Sequence, residues 1–240
     1  MEKISVLHGR GGIMESLTLK KPHWESLTPA TQEAFRLLDQ VELVRNFYLA
    51  GGTGLALHLG HRFSADLDFF SKGENVVGPA ERAVFRSVLD DSTLEIVYDK
   101  DSTFVATWRG VGVSFFYLNL YPLVRPTLSI GNIDLASVEE IGAMKLAAII
   151  NRGTRKDMVD LYFILQQVSL DALFQVAALK YAKARSFPVN ATRALSYFDD
   201  AESTPMPQML DKTPWPKMKK FLEKKALEAG RKRLEDLWKS

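Results

Sequence analysis

Apolar positions along this chain follow two periods, and the change from one to the other falls near residue 136. Thr28-Pro29 opens a helix with proline at its first position, and Phe35, Leu37, Leu38, Val41 and Leu43 supply an apolar stripe behind it. Residues 47–50 form an apolar run of strand length, and Pro79 opens another helix that reaches about Leu89. Residues 93–98, 103–108 and 111–120 are rich in β-branched and aromatic side chains. Asp99-Lys100-Asp101 and Gly110 mark turns between them, so antiparallel pairing is expected. A passage broken by Pro122 and Pro126 leads to a last short strand at about 130–135.

From Ser137 the spacing is helical. Ser137-Val138-Glu139-Glu140 reads as a capping box, with the Ser137 hydroxyl on the helix amides and Glu140 reaching back. Ile141, Met144, Leu146, Ala147 and Ile150 follow at helical intervals, Asn151-Arg152-Gly153 stops the run, and Thr154 starts the next. Residues 170–240 continue in helices interrupted at Pro188, Pro205, Pro207, Pro214 and Pro216. The pattern predicts an α+β protein: a mixed-sheet lobe over 1–136, with 1–23 as an arm, then a helical lobe over 137–240. The cleft between the lobes is the expected ligand site.

One stretch, residues 47–71, combines the elements of a binding site. Gly51 and Gly52 follow the first strand and allow a sharp turn with close backbone approach. Thr53 is placed to cap the short helix that follows, and Gly60 to end it. Asp66 and Asp68 then flank Leu67, so a strand would send both carboxylates from one face. The glycines alone could be an ordinary strand-to-helix turn, and the aspartates alone could answer Arg62. Together, free amides at a helix start and two converging carboxylates suit a polyphosphate and a hard cation such as magnesium, or manganese in its place.

Composition narrows the field. The 240 residues are 46% hydrophobic and 25% charged with a net charge of +2, so any basic surface for nucleic acid must be local. Cysteine is absent, which removes disulfides, thiolate metal sites and cysteine nucleophiles. No apolar run approaches the roughly 20 residues of a membrane span, and the N-terminus shows no apolar core of a signal peptide, so a cytoplasmic location is expected. His58 and His61 have no metal-ligand spacing around them and are read as structural. The basic C-terminal stretch with an apolar face is either a solvated helix or a contact for RNA phosphates.

Gly51-Gly52-Thr53, a short helix and Asp66-Leu67-Asp68 resemble the signature of the polymerase-β-like nucleotidyltransferases. The wording from Leu49 to Arg62, running into Asp66-Leu67-Asp68-Phe69-Phe70-Ser71, is similar to the AbiEii/AbiGii branch, which includes toxins of type IV toxin–antitoxin systems. A second block, 146–165 with Asp157-Met158-Val159-Asp160-Leu161-Tyr162, resembles the same family. The resemblance implies a metal-dependent enzyme that moves a nucleoside monophosphate from a nucleoside triphosphate to a hydroxyl of RNA, tRNA above all, or of a protein. It assigns Asp66 and Asp68 to the metal, and Gly51, Gly52, Thr53, Lys145 and Arg152 to the nucleotide. Asp157 or Asp160 would lie near the acceptor hydroxyl or hold Lys145 and Arg152 in place. An antitoxin partner is implied as well. One departure stands out: the strand expected to carry a third carboxylate, 111–120, has none, with Glu95 or Asp157 as substitutes. A module of the same fold that binds nucleotide or a partner without transfer is therefore the rival reading.

Overall fold

The computed structural model describes residues 17–89 and 91–239. The strands are β1 (Leu17–Thr18), β2 (Phe47–Leu49), β3 (Leu67–Ser71), β4 (Leu94–Lys100), β5 (Thr103–Trp108), β6 (Val111–Phe116), β7 (Leu128–Ile130) and β8 (Ile133–Leu135). They form one mixed sheet in the order β1-β7-β8-β2-β3-β6-β5-β4. The helices are α1 (Pro29–Asp39), α2 (Gly51–Leu59), α3 (Pro79–Val88), α4 (Val138–Asn151), α5 (Arg155–Ile164), α6 (Leu170–Lys180), α7 (Phe187–Ala194), α8 (Asp199–Glu202) and α9 (Trp215–Lys239). The expected α+β class is what the chain adopts, with α1, α2 and α3 set among the strands and α4–α9 after them.

Strand periodicity sorts the side chains onto two faces. Phe47, Leu49, Phe69, Val113 and Phe115 join α1 and α3 in one core. Its centre is a pile of rings, with Phe85 stacked on Phe115 at 3.7 Å and Phe69 on Phe115 at 4.6 Å. Tyr48 and Ala50, one residue out of step, point to the other face and join Leu55 and the apolar residues of α4–α7 and α9. Both faces of β2 are thus covered, which explains an unbroken apolar run where a one-sided strand would alternate. On the second face, β3 presents Asp68 and Phe70, in register with Ser114 and Phe116 of parallel β6.

Three local expectations change. Leu17–Thr18, assigned to the arm, pairs in parallel with β7 as an edge strand; residues 1–16 lie outside the described residues. The single strand expected at 130–135 is a hairpin of β7 and β8, held at its turn by the Asn132 amide donating to Asp39 at 2.6 Å. The third strand ends at Phe116 rather than Leu120.

The capping box is only half formed. Ser137 accepts from the Glu140 amide, but the Glu140 carboxylate does not reach back. It is fully buried and accepts from the Val124 and Arg125 amides and from Lys180 Nζ at 2.7 Å. Lys180 also donates to the Pro122 carbonyl at 2.9 Å, so a buried ion pair fastens the 121–125 crossing to α4 and α6. Burial depresses the Lys180 ammonium despite Glu140 beside it. Glu140→Gln keeps an acceptor for the amides but strands a buried cation, and should cost roughly 3–5 kcal/mol in urea denaturation. Adding Lys180→Met to it should recover part of that loss, and a double variant no better than the single would refute the pairing argument.

Candidate active site

The site is built around the first turn of α2. The Ala50 amide donates to the Asp68 carbonyl, which ties the turn to β3, and the first helical bond runs from the Gly54 amide to the Ala50 carbonyl. The amides of Gly51, Gly52 and Thr53 therefore precede any helical acceptor, at the positive end of the helix dipole. Gly51 has φ +63°, and a Cβ there would lie 2.6 Å from Asp68 Oδ2. At Gly52 a Cβ would lie 2.4 Å from Arg62 Nη2. Charged side chains packed on the turn, one anionic and one cationic, thus require both glycines. Thr53 departs from expectation. Ala50 holds the cap position, and Thr53 is fully buried with its hydroxyl donating to the Asp66 carbonyl and bonded to Ser64, so that hydroxyl ties α2 to the link that leads into β3.

Asp66 is exposed just before β3, and Asp68 is half-buried within it. Burial, and then the negative charge of Asp66, push the Asp68 carboxyl above its ordinary range, against the pull of Lys145, Lys156 and Arg152. A hard cation accepting oxygen from both would relieve that repulsion, so the pair fits magnesium or manganese. It does not make a complete cage. Among the described residues no three metal-ligating side chains converge. Ser114 stands beside Asp68 on β6, and Glu95 lies on edge strand β4, three strands from β3 or ~14 Å away. Oxygens of a bound phosphate chain would have to supply the remaining positions, which is how magnesium is commonly held.

Behind this pair lies a buried charge network. Asp160 accepts from Arg62 Nε at 2.6 Å and Nη2 at 2.8 Å, pairs with Lys145 Nζ at 2.6 Å, and bonds His61 Nε2 at 2.8 Å. Asp157 accepts from Lys145 at 2.9 Å, Arg152 Nε at 3.1 Å and the Thr154 hydroxyl at 2.5 Å. Burial works against both carboxylates, yet Lys145 and the hydrogen bonds outweigh it and hold Asp157 low and Asp160 well below the usual range. Burial likewise works against the Lys145 ammonium, and Asp160 and Asp157 outweigh it to keep it above its ordinary value. Two of the three Lys145 protons are engaged, leaving one donor for the cleft it lines.

Gly51, Gly52, Asp66, Asp68, Lys145 and Arg152 all line one cleft. Asp157 and Asp160 do not line it; both are fully buried behind Lys145, with their oxygens occupied by cations and donors. Their geometry is that of groups that position Lys145, Arg62 and Arg152, and Asp157 is not turned toward the aspartate pair as a third metal ligand. Two charged lining residues are absent from the sequence-based candidates, Arg62 and Lys156. Arg62 was in view only as a counterion for the aspartates, whereas its position between Gly60 and Asp66 was the available signal. His61 is buried against Phe163 and bonds Asp160, and His58 bonds the Ala136 carbonyl.

A family model described as nucleotidyl transferase AbiEii toxin, type IV TA system, matches residues 35–238. An uncharacterised protein of Aquifex aeolicus (strain VF5) is 29% identical over 200 residues, 82% of this chain and 94% of that protein. JHP933 from Helicobacter pylori superposes with a TM-score of 0.53 at 18% identity, over 89% of this chain and 97% of that one. MenT4, nucleotidyltransferase toxin Rv2826c from Mycobacterium tuberculosis H37Rv, superposes with a TM-score of 0.52 at 15% identity, over 85% and 86%. At these identities the two structures show the shared fold.

The network carries a pH signature. Asp160 titrates well below the unfolded value of about 3.9, so its contribution is complete above that value and is lost as pH falls through the lower folded one. Urea midpoints of the wild type should therefore drop steeply below about pH 4. Asp160→Asn should cost roughly 3–5 kcal/mol at pH 7 and flatten that acid limb. Parallel acid limbs in the two proteins would count against Asp160 as the anchor.

Proposed function

The chain belongs to the AbiEii family of nucleotidyltransferase toxins, and from that premise we propose how its cleft works. The cleft binds a nucleoside triphosphate with magnesium or manganese and passes the nucleoside monophosphate to a hydroxyl of RNA, tRNA foremost, or of a protein. The observation that carries this reading is that Asp66 just before β3 and Asp68 within it share one cleft with a helix start and four cations, Arg62, Lys145, Arg152 and Lys156. Those cations favour a polyanion, and the amides of Gly51 and Gly52 offer donors to its phosphate oxygens. Lys145 donates a hydrogen bond from its remaining N–H to the same chain of phosphates. Asp66 and Asp68 hold the cation, which when bound neutralises charge on the phosphates.

In the transfer, the acceptor oxygen bonds to the α-phosphorus while the bond to the β-phosphate oxygen breaks. Pyrophosphate leaves with that electron pair, and the hydroxyl proton passes to solvent. Orientation by the glycine turn and the fixed positive charges accounts for the protein's share of the rate. As a toxin of a type IV pair, the enzyme would be opposed in the cell by an antitoxin. The absence of an acid at Ser114 and Gly112, beside the aspartates, supports a second reading, a pocket that binds nucleotide without transfer. Incubation with each labelled nucleoside triphosphate, magnesium and total RNA or lysate decides between them. Label on a macromolecule with pyrophosphate release supports transfer, whereas nucleotide affinity without release supports the second reading.

Two further outcomes follow from the geometry. Because burial and then Asp66 disfavour its charge, Asp68 is a liability to the fold without a cation. Asp68→Asn should leave stability unchanged or raise it by ~0.5–1 kcal/mol, while removing magnesium-dependent nucleotide binding in calorimetry. Asp66→Asn should abolish that binding too, and wild-type titration curves for both variants would place the site elsewhere. Lys145→Met should weaken triphosphate roughly ten- to hundredfold but nucleoside little. Equal weakening of both ligands would make Lys145 a packing residue.

A further inference from the structure

The outward face of α9 is not used by the cleft or by the core. The helix carries nine Lys and Arg against four Asp and Glu in a chain whose net charge is only +2. Its inner seam buries Met218, Leu222 and Ala226 against the body of the protein. On the opposite side, Lys220, Lys224, Leu227, Arg231, Leu234 and Trp238 follow one another at intervals of four and three, the spacing of a helix-pairing seam. Leu227 is 62% exposed, Leu234 59% and Trp238 88%, so three large apolar side chains stand in water along one line. From Lys220 to Trp238 the stripe is about 27 Å long.

Its charges select what covers it. Lys224 and Arg231 alternate with Leu227 and Leu234 on the seam itself, so a second copy packed in parallel would set cation against cation. Glu223 and Glu235 flank the stripe, which opposes an anionic bilayer. Leu227 and Leu234 give an RNA backbone nothing to bind. We propose that the distal face of α9 docks an acidic amphipathic helix of a partner protein, its apolar seam on Leu227, Leu234 and Trp238 and its carboxylates on Lys224 and Arg231.

The test uses the full chain and a synthetic helical peptide of about 20 residues, with leucine on its seam and glutamate beside it. A scrambled peptide, phosphatidylglycerol vesicles and unfractionated tRNA are the other arms. The acidic peptide should bind and shift tryptophan emission to the blue, and Trp238→Phe should remove the shift. Leu227→Ser with Leu234→Ser should weaken binding roughly tenfold or more. Lys224→Glu with Arg231→Glu should lose the acidic peptide and gain its lysine-bearing counterpart. Nucleotide binding in the cleft, whose lining includes no residue of α9, should be unchanged and reports that the variants are folded. Binding no tighter than the scrambled peptide, or unaltered by the paired serines, would overturn the proposal. So would tighter binding to vesicles or tRNA, or a dimer in sedimentation that excludes the peptide.

Discussion

A carboxylate with no access to water, Asp160, fixes the geometry on which the cleft depends. It sits on α5, yet two of its partners, His61 and Arg62, come from the link between α2 and β3, and the third, Lys145, comes from α4. An unpaired buried charge costs about 3–5 kcal/mol, so the meeting of these three segments is strongly favoured in the folded chain. Their meeting presents Arg62 and Lys145 to the cleft and packs the helices on the second face of the sheet. The arrangement is rigid because both Arg62 donors on that side and two of the three Lys145 protons are already committed.

Rigidity of this kind tells against Asp157 and Asp160 as reacting groups. A carboxylate held far below its ordinary range by cations accepts a proton poorly, and one whose oxygens are all engaged has little left for a metal. Asp68 is the opposite case. Burial and then its neighbour Asp66 raise it, the pull of Lys145, Lys156 and Arg152 offsets that only in part, and a bound cation would relieve the rest. The buried network stabilises the fold, while the aspartate pair strains it. That division separates groups that position from groups that bind.

Much of this was legible in the chain. Local signals worked where the chemistry is local: Thr28 caps α1, Ser137 caps α4, Gly60 ends α2 in the left-handed region, and the two flanks of the glycine turn are strands. The convergence of Gly51, Gly52, Asp66, Asp68, Lys145 and Arg152 was also available, through motif spacing and family resemblance. Long-range partners were not. Glu140 fits a capping box in sequence, but Lys180, forty residues on, outbids the local amide because a buried ammonium needs a carboxylate. Thr53 fits an N-cap, but the cap falls three residues earlier, at Ala50, because glycine permits it. Strands β1, β7 and β8 are two or three residues long, too short for alternation to show.

The missing third carboxylate is best understood through the strand that would carry it. At Gly112 a Cβ would lie 2.7 Å from Asp66 Oδ1, so any side chain there displaces the carboxylate it was meant to assist. At Ser114 an acid would stand beside Asp68, whose carboxyl is already raised by one negative neighbour, and would raise it further. Counting Asp157 and Asp160 behind the cleft, its four cations already meet four carboxylates. A third acid beside Asp66 and Asp68 would tip that balance to negative and oppose a polyanion. The strand is therefore matched to a ligand that brings its own metal and its own oxygens, rather than to a cation held by the protein alone.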